Sequence, residues 1–154
     1  MDKTNRRIVS LLGIGMAFLI SACNATTKPA AEAAIDNWAN VANKDWQLIR
    51  VENAGRTIDP MSPILASVNF TLDGKIVGST GCNRYFGDYT RDGNNLIVSA
   101  LGSANMMCVD DAMDVEDAFI AAMAGVKSWK IDQGELLLLD ATAKSLMKLE
   151  PITP

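Results

Sequence analysis

The chain has 154 residues, with 14 basic and 18 acidic side chains, a formal net charge of −4 and no histidine. The acidic balance argues against nucleic acid as a partner, because proteins that bind it carry basic patches that meet the phosphates. The absence of histidine removes the commonest general base, the Ser-His and Cys-His nucleophile pairs and the favourite ligand of transition metals. The sequence predicts no metal site and no cofactor.

Residues 1–22 have the composition of a secretory signal. The basic start "MDKTNRR" is followed by the apolar run "IVSLLGIGMAFLI" and by small residues, which is the order of segments in a signal peptide. The apolar run is shorter than the roughly 20 residues of a membrane-spanning helix, which disfavours the alternative of an N-terminal anchor helix. Residues 1–22 hold three basic and one acidic side chain, so their removal leaves 11 and 17, a net charge of −6.

The segment "LISAC", which ends at Cys23, resembles the lipobox of bacterial lipoproteins. The resemblance implies that the Cys23 thiol carries a diacylglycerol, that the chain is cut before it and that the new amine is acylated. Two or more acyl chains anchor a protein stably, at about 0.8 kcal/mol per buried methylene. By analogy with lipoprotein sorting, Asn24 implies the outer membrane, with the domain in the periplasm. The alternative is a secreted protein whose signal happens to contain a cysteine.

Residues 23–44 are predicted to form the lipidated N-terminus, a flexible tether and a short helix. The first part is rich in Ala and Thr and contains Lys28-Pro29, a composition typical of linkers. The helix would cap one end of the domain; the alternative is a segment that presents its tryptophan to a partner. Its apolar residues at helical spacing are Ala31, Ile35, Trp38, Ala39 and Ala42.

Residues 45–150 are predicted to form one domain, followed by a short tail at 151–154. Asp73-Gly74 favours the positive φ angles of a two-residue hairpin, so the chain reverses there. The run Leu136–Leu139 lacks alternation, as expected for a strand covered on both faces. The predicted strands are "WQLIRV", "ASVNFTL", "KIVGST", "GDYT", "LIVSA", "SWKID", "ELLLLDA" and "KSLMKLE".

Alternation in the first two strands predicts which side chains share a face. Trp46, Leu48 and Arg50 alternate in the first strand. The corresponding set in the second strand is Val68, Phe70 and Leu72.

One strong helix is predicted at "VDDAMDVEDAFIAAMAGV". Its acidic residues crowd the helix start, where each opposes the macrodipole favourably by about 0.3–1 kcal/mol when exposed. The alternative is a calcium site, but the run lacks the spacing of an EF-hand loop. The apolar stripe is Val115, Phe119, Ala122, Met123 and Val126, and the acidic residues are Asp110, Asp111, Asp114, Glu116 and Asp117.

These elements together predict an α+β fold. Short strands with turn chemistry between them favour a small antiparallel β-barrel-like sheet of about 7–8 strands. The one main α-helix is inserted before the last three strands, where it would plug or cover an open side.

Two further cysteines, Cys82 and Cys108, belong to the domain. In a compartment that oxidises thiols they are expected to form a disulfide, which would close a loop of about 25 residues and stabilise by about 3 kcal/mol. A redox thiol would need an activating base or cation. A zinc site would need two more ligands, and only carboxylates remain.

The stretch "GSTGCNRYFGDYT" surrounds the first of these cysteines. Gly78, Gly81 and Gly87 predict a strand, bulge and turn where the backbone makes close approaches. Asn83 tolerates a left-handed conformation and can bond its own backbone. Arg84 keeps two interpretations, an ion pair with an acidic neighbour or a contact to a ligand.

This stretch, followed by "LGSANMMC" and "DAMDVEDAFIAAM", resembles the META domain of the HslJ-like bacterial lipoproteins. The resemblance spans roughly residues 45–150. One departure is Ala104-Asn105, where relatives often carry Thr and a basic residue, so no role is assigned to a basic side chain there. The matching positions are Gly81, Cys82, Asn83, Gly87, Met106, Cys108, Glu116 and Phe119.

The resemblance implies an antiparallel barrel-like α+β fold, a Cys82–Cys108 disulfide and no catalytic residues. It implies an envelope protein linked to heat response, antibiotic tolerance, motility or virulence. The motif positions with a structural or partner-binding role are Gly81, Asn83, Arg84, Gly87 and Met106.

The predicted function is therefore that of a non-enzymatic outer-membrane lipoprotein that supports envelope integrity or stress tolerance through a binding partner. One alternative is a lipid-binding or pilot-type lipoprotein with an apolar cavity in the barrel. Another is an enzyme built on Arg84 and carboxylates such as Asp88 or Asp111.

Overall fold

The structure, a computed structural model, describes residues 37–153. The predictions for the signal at 1–22, for Cys23 and for the tether as far as residue 36 lie outside the described residues. A 3-10 helix occupies Asn37–Asn40, and one α-helix, α1, occupies Asp110–Gly125. The ten strands are β1 (Asp45–Asn53), β2 (Arg56–Ile58), β3 (Ala66–Phe70), β4 (Lys75–Thr80), β5 (Arg84–Asp92), β6 (Asn95–Val98), β7 (Gly102–Ser103), β8 (Ser128–Asp132), β9 (Glu135–Leu139) and β10 (Ser145–Pro151).

Eight of these strands form a closed antiparallel barrel. Their order is β1, β3, β4, β5, β6, β8, β9 and β10, and β10 pairs back onto β1 to close the ring. The short strand β2 pairs with β1, and β7 pairs with β5. Because α1 precedes β8, β9 and β10, the predicted α+β class, strand number and position of the helix are confirmed.

The interior of the barrel is filled by side chains. Alternate residues of each strand point inward, and eight strands enclose a space just wide enough for side chains to fill. The barrel is therefore a packed core, and this gives no support to the idea of an apolar cavity. Inward residues with no exposed surface are Val68, Phe70, Ile76, Leu96, Leu136, Leu138, Met147 and Leu149.

The end of the barrel near the β3–β4 turn is closed by Trp38. Its ring centroid lies 5.3 Å from Phe70, 5.4 Å from Tyr89 and 5.0 Å from Trp129. Because Trp38 is only 5% exposed, the structure favours the capping interpretation over an exposed partner-binding tryptophan. The packed domain thus includes residues before Asp45.

Helix α1 lies toward the opposite end and packs on β1, β4 and β10. Phe70 pairs with Ile76 beside the β3–β4 turn, whereas Thr80, at the far end of β4, contacts the helix. The predicted apolar stripe is buried throughout. Neither helix of the described residues has the length and apolarity that crossing a membrane requires.

Three details of the strands differ from the predicted pattern. The pairing of β1 with β10 shifts register between Leu48 and Arg50, so the bulge turns Arg50 outward and Val51 inward. Leu72 is 69% exposed because it sits in the β3–β4 turn and not in the strand. Leu137 is half-buried between the buried Leu136 and Leu138, so β9 does alternate over its first four residues.

Candidate functional site

The Gly-Cys-Asn motif forms the turn between β4 and β5, at the helix end of the barrel. Gly81 has φ +96°, and a Cβ there would lie 2.7 Å from the Ile64 side chain. Both facts require glycine, because a side chain would be strained in the left-handed region and would also clash. The predicted structural role of Gly81 has a direct explanation in this geometry.

Asn83 uses its buried side chain to hold a separate segment of the chain. Its Oδ1 accepts a hydrogen bond from the backbone N–H of Met106 at 2.9 Å, and its Nδ2 donates to the Met106 carbonyl at 3.1 Å. The amide therefore pairs with the backbone of Met106 as a neighbouring strand would. This contact fixes the segment that leads into Cys108.

A buried carboxylate completes the cluster. Glu116 of α1 is 8% exposed; it accepts a hydrogen bond of 2.6 Å from the Thr80 hydroxyl, and Asn83 Nδ2 lies 2.9 and 3.1 Å from its oxygens. Thr80 in turn accepts from the Asn83 N–H at 2.9 Å. The sequence predicts Glu116 to be one of the exposed acids that oppose the helix dipole. In the structure it is instead a buried link between α1 and the β4–β5 turn. A buried charge is tolerated only with such hydrogen bonds.

The disulfide between Cys82 and Cys108 is present, as predicted. The two residues are 26 apart in sequence, so cross-linking them stabilises by about 3 kcal/mol in the chain-entropy model. The bond ties the β4–β5 turn to the segment two residues before α1. Three pieces of chain are therefore held together: the β4–β5 turn, the segment before α1, and α1 itself. The disulfide and the Asn83 amide join the first two, and the Glu116 carboxylate joins α1 to the turn.

The other predicted motif residues are spread around this cluster. Gly87 lies mid-strand in β5, where a Cβ would stand 2.7 Å from the Leu101 side chain. Met106 contributes its backbone, while its side chain is 60% exposed. Arg84 begins β5 on the outer face of the sheet, beside Ser79, and makes no ion pair within residues 37–153. The structure does not bring Arg84 into the buried cluster.

Tyr85 is a buried phenol whose hydroxyl is paired with the backbone. Burial raises the pKa of Tyr85, and its hydroxyl donates to the Ser67 carbonyl at 3.0 Å. Within residues 37–153 no group of three or more His, Cys, Asp or Glu side chains could hold a metal ion. The carboxylates that suggested the calcium alternative are distributed around the helix.

Several large apolar side chains are exposed around the stapled turn, and the sequence alone does not predict this. Five large side chains, here called the apolar end, are exposed on the loops at this end of the barrel. Met61 and Val109 line one groove there, and Met106 adjoins Asn83. The five are Met61, Leu65, Met106, Met107 and Val109, exposed by 78, 51, 60, 92 and 70%.

Fold and site together define a small closed antiparallel barrel, capped by one helix, with a disulfide and a buried Thr-Asn-Glu cluster at the helix end. A family model described as the META domain matches residues 39–151. The chain belongs to the META domain family.

Solved structures with the same fold are distant in sequence. A protein from Burkholderia xenovorans, solved by NMR, is 19% identical with a TM-score of 0.62, and the match covers 77% of this chain and 88% of that one. A DUF4847 family protein from Bacteroides vulgatus, solved by crystallography, is 16% identical with a TM-score of 0.53, covering 71% and 93%. These likenesses show the fold alone. No curated protein matches the sequence.

Proposed function

We propose that this protein is a non-enzymatic lipoprotein of the outer membrane whose META domain binds a partner in the periplasm. The observation that carries the proposal is the apolar end, where Met107 is 92% and Met61 78% exposed. Soluble domains rarely leave contiguous apolar surface open to water unless it serves an interaction. Methionine adapts its shape to a partner and is common on binding surfaces.

The segment that carries Met106 and Met107 is tied to the barrel. The Cys82–Cys108 disulfide and the Asn83 contact to Met106 fix the segment before α1, while Glu116 fixes the helix to the turn. A surface that is ordered before binding loses less conformational entropy when the partner arrives. The motif residues therefore support binding indirectly, by positioning the exposed side chains.

The described chain enters the domain at the end of the barrel opposite α1. Asn37 adjoins Trp38, which packs beside Phe70 at the end of the barrel opposite α1. The 13 residues from 24 to 36 can span at most about 45 Å. A lipid on Cys23 would thus keep the domain within about that distance of the membrane.

The envelope role rests on the resemblance to HslJ-like lipoproteins and on the lipobox at Cys23. It includes support of envelope integrity and tolerance of stress or antibiotics. The lipid-carrier alternative has no observation in its favour, because the side chains that face the barrel interior are fully buried and fill it.

The test measures envelope permeability as the uptake of a dye. The cells lack the chromosomal gene, and each strain carries one variant of it on a plasmid. The wild-type chain is expected to restore low uptake, and so is Leu72→Gln, which changes an equally exposed side chain at the opposite end. The double variant Met107→Gln/Val109→Gln and the unanchored Cys23→Ala are expected to fail. Full restoration by the double variant, with unchanged thermal unfolding, would contradict the proposal.

A further inference from the structure

A groove of about 410 Å³ runs beside the apolar end, between the segment from Ile58 to Ile64 and the first turns of α1. Its size lies within the roughly 300–1,000 Å³ of ligand pockets. The buried Val115 and the half-buried Ile64 line the groove together with the exposed Met61 and Val109. The groove offers apolar surface that no side chain of the described residues covers.

The rim of this groove is acidic. Asp111 and Asp114 line it from the helix, at positions three residues apart that share one face. Asp114 lies 3.5 Å from the exposed Arg56, whereas Asp111 has no ion pair within residues 37–153. The helix dipole accounts for an acid in the first turn but not for Asp114 or the exposed Asp117 further along. The groove therefore combines apolar walls with the unpaired charge of Asp111 and with Asp114, which Arg56 partly neutralises.

The groove also lies beside a free strand edge. Among the described residues β2 pairs only with β1, and the turn between them is the two-residue Ala54-Gly55. In such a hairpin the pair next to the turn, Asn53 and Arg56, exchanges hydrogen bonds. The next pair does not, so the backbone N–H and carbonyl of Thr57 point away from β1. An added strand would place alternate side chains on the face of Arg56 and Ile58, which is the groove side.

We propose that this groove binds an extended segment of a partner protein whose groove-facing residues, every second one along the segment, include both apolar residues and Lys or Arg. The apolar side chains would enter the groove, the basic ones would meet Asp111 and Asp114, and the backbone would pair with the edge of β2. An anionic bilayer is the wrong partner for the same surface, because the acidic rim repels it. The inference rests on the proposed function and specifies its partner.

The methionines provide a direct reporter. Six lie beyond residue 36: Met61, Met106 and Met107 at the apolar end, Met113 beside the disulfide, and Met123 and Met147 buried in the core. We would record methyl NMR spectra of the lipidated chain in phosphatidylcholine nanodiscs, with isotope-labelled methionine methyl groups. The probes are the blocked heptapeptide Val-Thr-Lys-Thr-Leu-Thr-Lys, whose odd-numbered residues share one face, and its counterpart with Glu in place of Lys.

The basic peptide is expected to shift the methyl signals of Met61 and Met107, to leave Met147 unchanged and to lose affinity at high ionic strength. The acidic peptide is expected to shift none of them. Asp111→Asn/Asp114→Asn should weaken binding about fivefold, as expected for two exposed charge pairs, and Val109→Gln should weaken it at least as much. The matched controls Glu150→Gln and Leu72→Gln should bind like the wild type.

Three kinds of result would overturn the inference. One is the absence of any shift with the basic peptide at millimolar concentration. Another is equal binding of both peptides, or binding that Glu150→Gln weakens as much as the groove variants do. The third is broadening of the Met107 signal by a spin-labelled lipid in the nanodisc, since the bilayer would then cover the surface. Failure to bind the basic peptide selectively does not bear on dye uptake, so this inference can fail while the proposed function stands, whereas a bilayer over Met107 would contradict both.

Discussion

Replacing Asn83 by alanine tests the buried cluster most sharply. Its Nδ2 lies 2.9 and 3.1 Å from the Glu116 oxygens and 3.1 Å from the Met106 carbonyl, and its Oδ1 accepts from the Met106 N–H at 2.9 Å. In Asn83→Ala the buried Glu116 carboxylate therefore keeps only the hydrogen bond from the Thr80 hydroxyl. The backbone N–H and carbonyl of Met106 lose their side-chain partner. A buried group that loses its partner costs about 1–3 kcal/mol, and more when charged.

Water can reach the partly exposed Met106 segment and replace the hydrogen bonds lost there. Most of the lost stability therefore comes from the buried Glu116 carboxylate. We expect Asn83→Ala to lower the free energy of unfolding by about 3 kcal/mol. The assay is guanidinium unfolding under non-reducing conditions, with an unchanged denaturant slope as the check on two-state behaviour. Asn95→Ala is the matched control, because Asn95 is exposed on β6 and should change stability by less than about 0.5 kcal/mol. A loss for Asn83→Ala no larger than that of the control would refute the reasoning.

Three further changes should each lower stability, as measured by the same unfolding experiment. Gly81→Ala should lose about 2 kcal/mol or more through left-handed strain and the clash with Ile64; a neutral result would mean that the turn is not as described. Cys82→Ser/Cys108→Ser should lose about 3 kcal/mol, and a reductant should bring the wild type to the same level but leave the variant unchanged. Trp38→Ala should lose about 3–5 kcal/mol, whereas a small loss would show that residues before Asp45 do not belong to the packed domain.

Much of the barrel could be predicted because its signals are local. The Gln133-Gly134 turn has positive φ at both residues, as expected between "SWKID" and "ELLLLDA". The bulge between Leu48 and Arg50 could not be predicted, because it arises from the pairing of β1 with a strand almost a hundred residues later. Leu72 was misplaced for a similar reason, since apolar alternation does not show where a strand ends.

The candidate site was predictable only in part. The resemblance to the META domain implied the disulfide pairing. Glu116 was read as one of the acids that favour the helix dipole. Its position was an available signal, because it falls inside the apolar stripe of α1, next to Val115 and three residues before Phe119. The apolar end had no local signal, since Met106, Met107 and Val109 resemble core residues until the fold shows which loops they occupy.

The protein is proposed to be lipid-anchored, with a disulfide-linked barrel whose interior is filled by side chains. The most direct test is a native mass spectrum of the chain released from membranes in mild detergent. We expect the mass of residues 23–154 plus the covalent lipid on Cys23, less the two hydrogens lost in forming the disulfide. We expect no further mass from other bound lipid. A chain without covalent lipid would contradict the anchor. An acyl chain held without a covalent bond and lost on unfolding would contradict the filled barrel and support a lipid carrier.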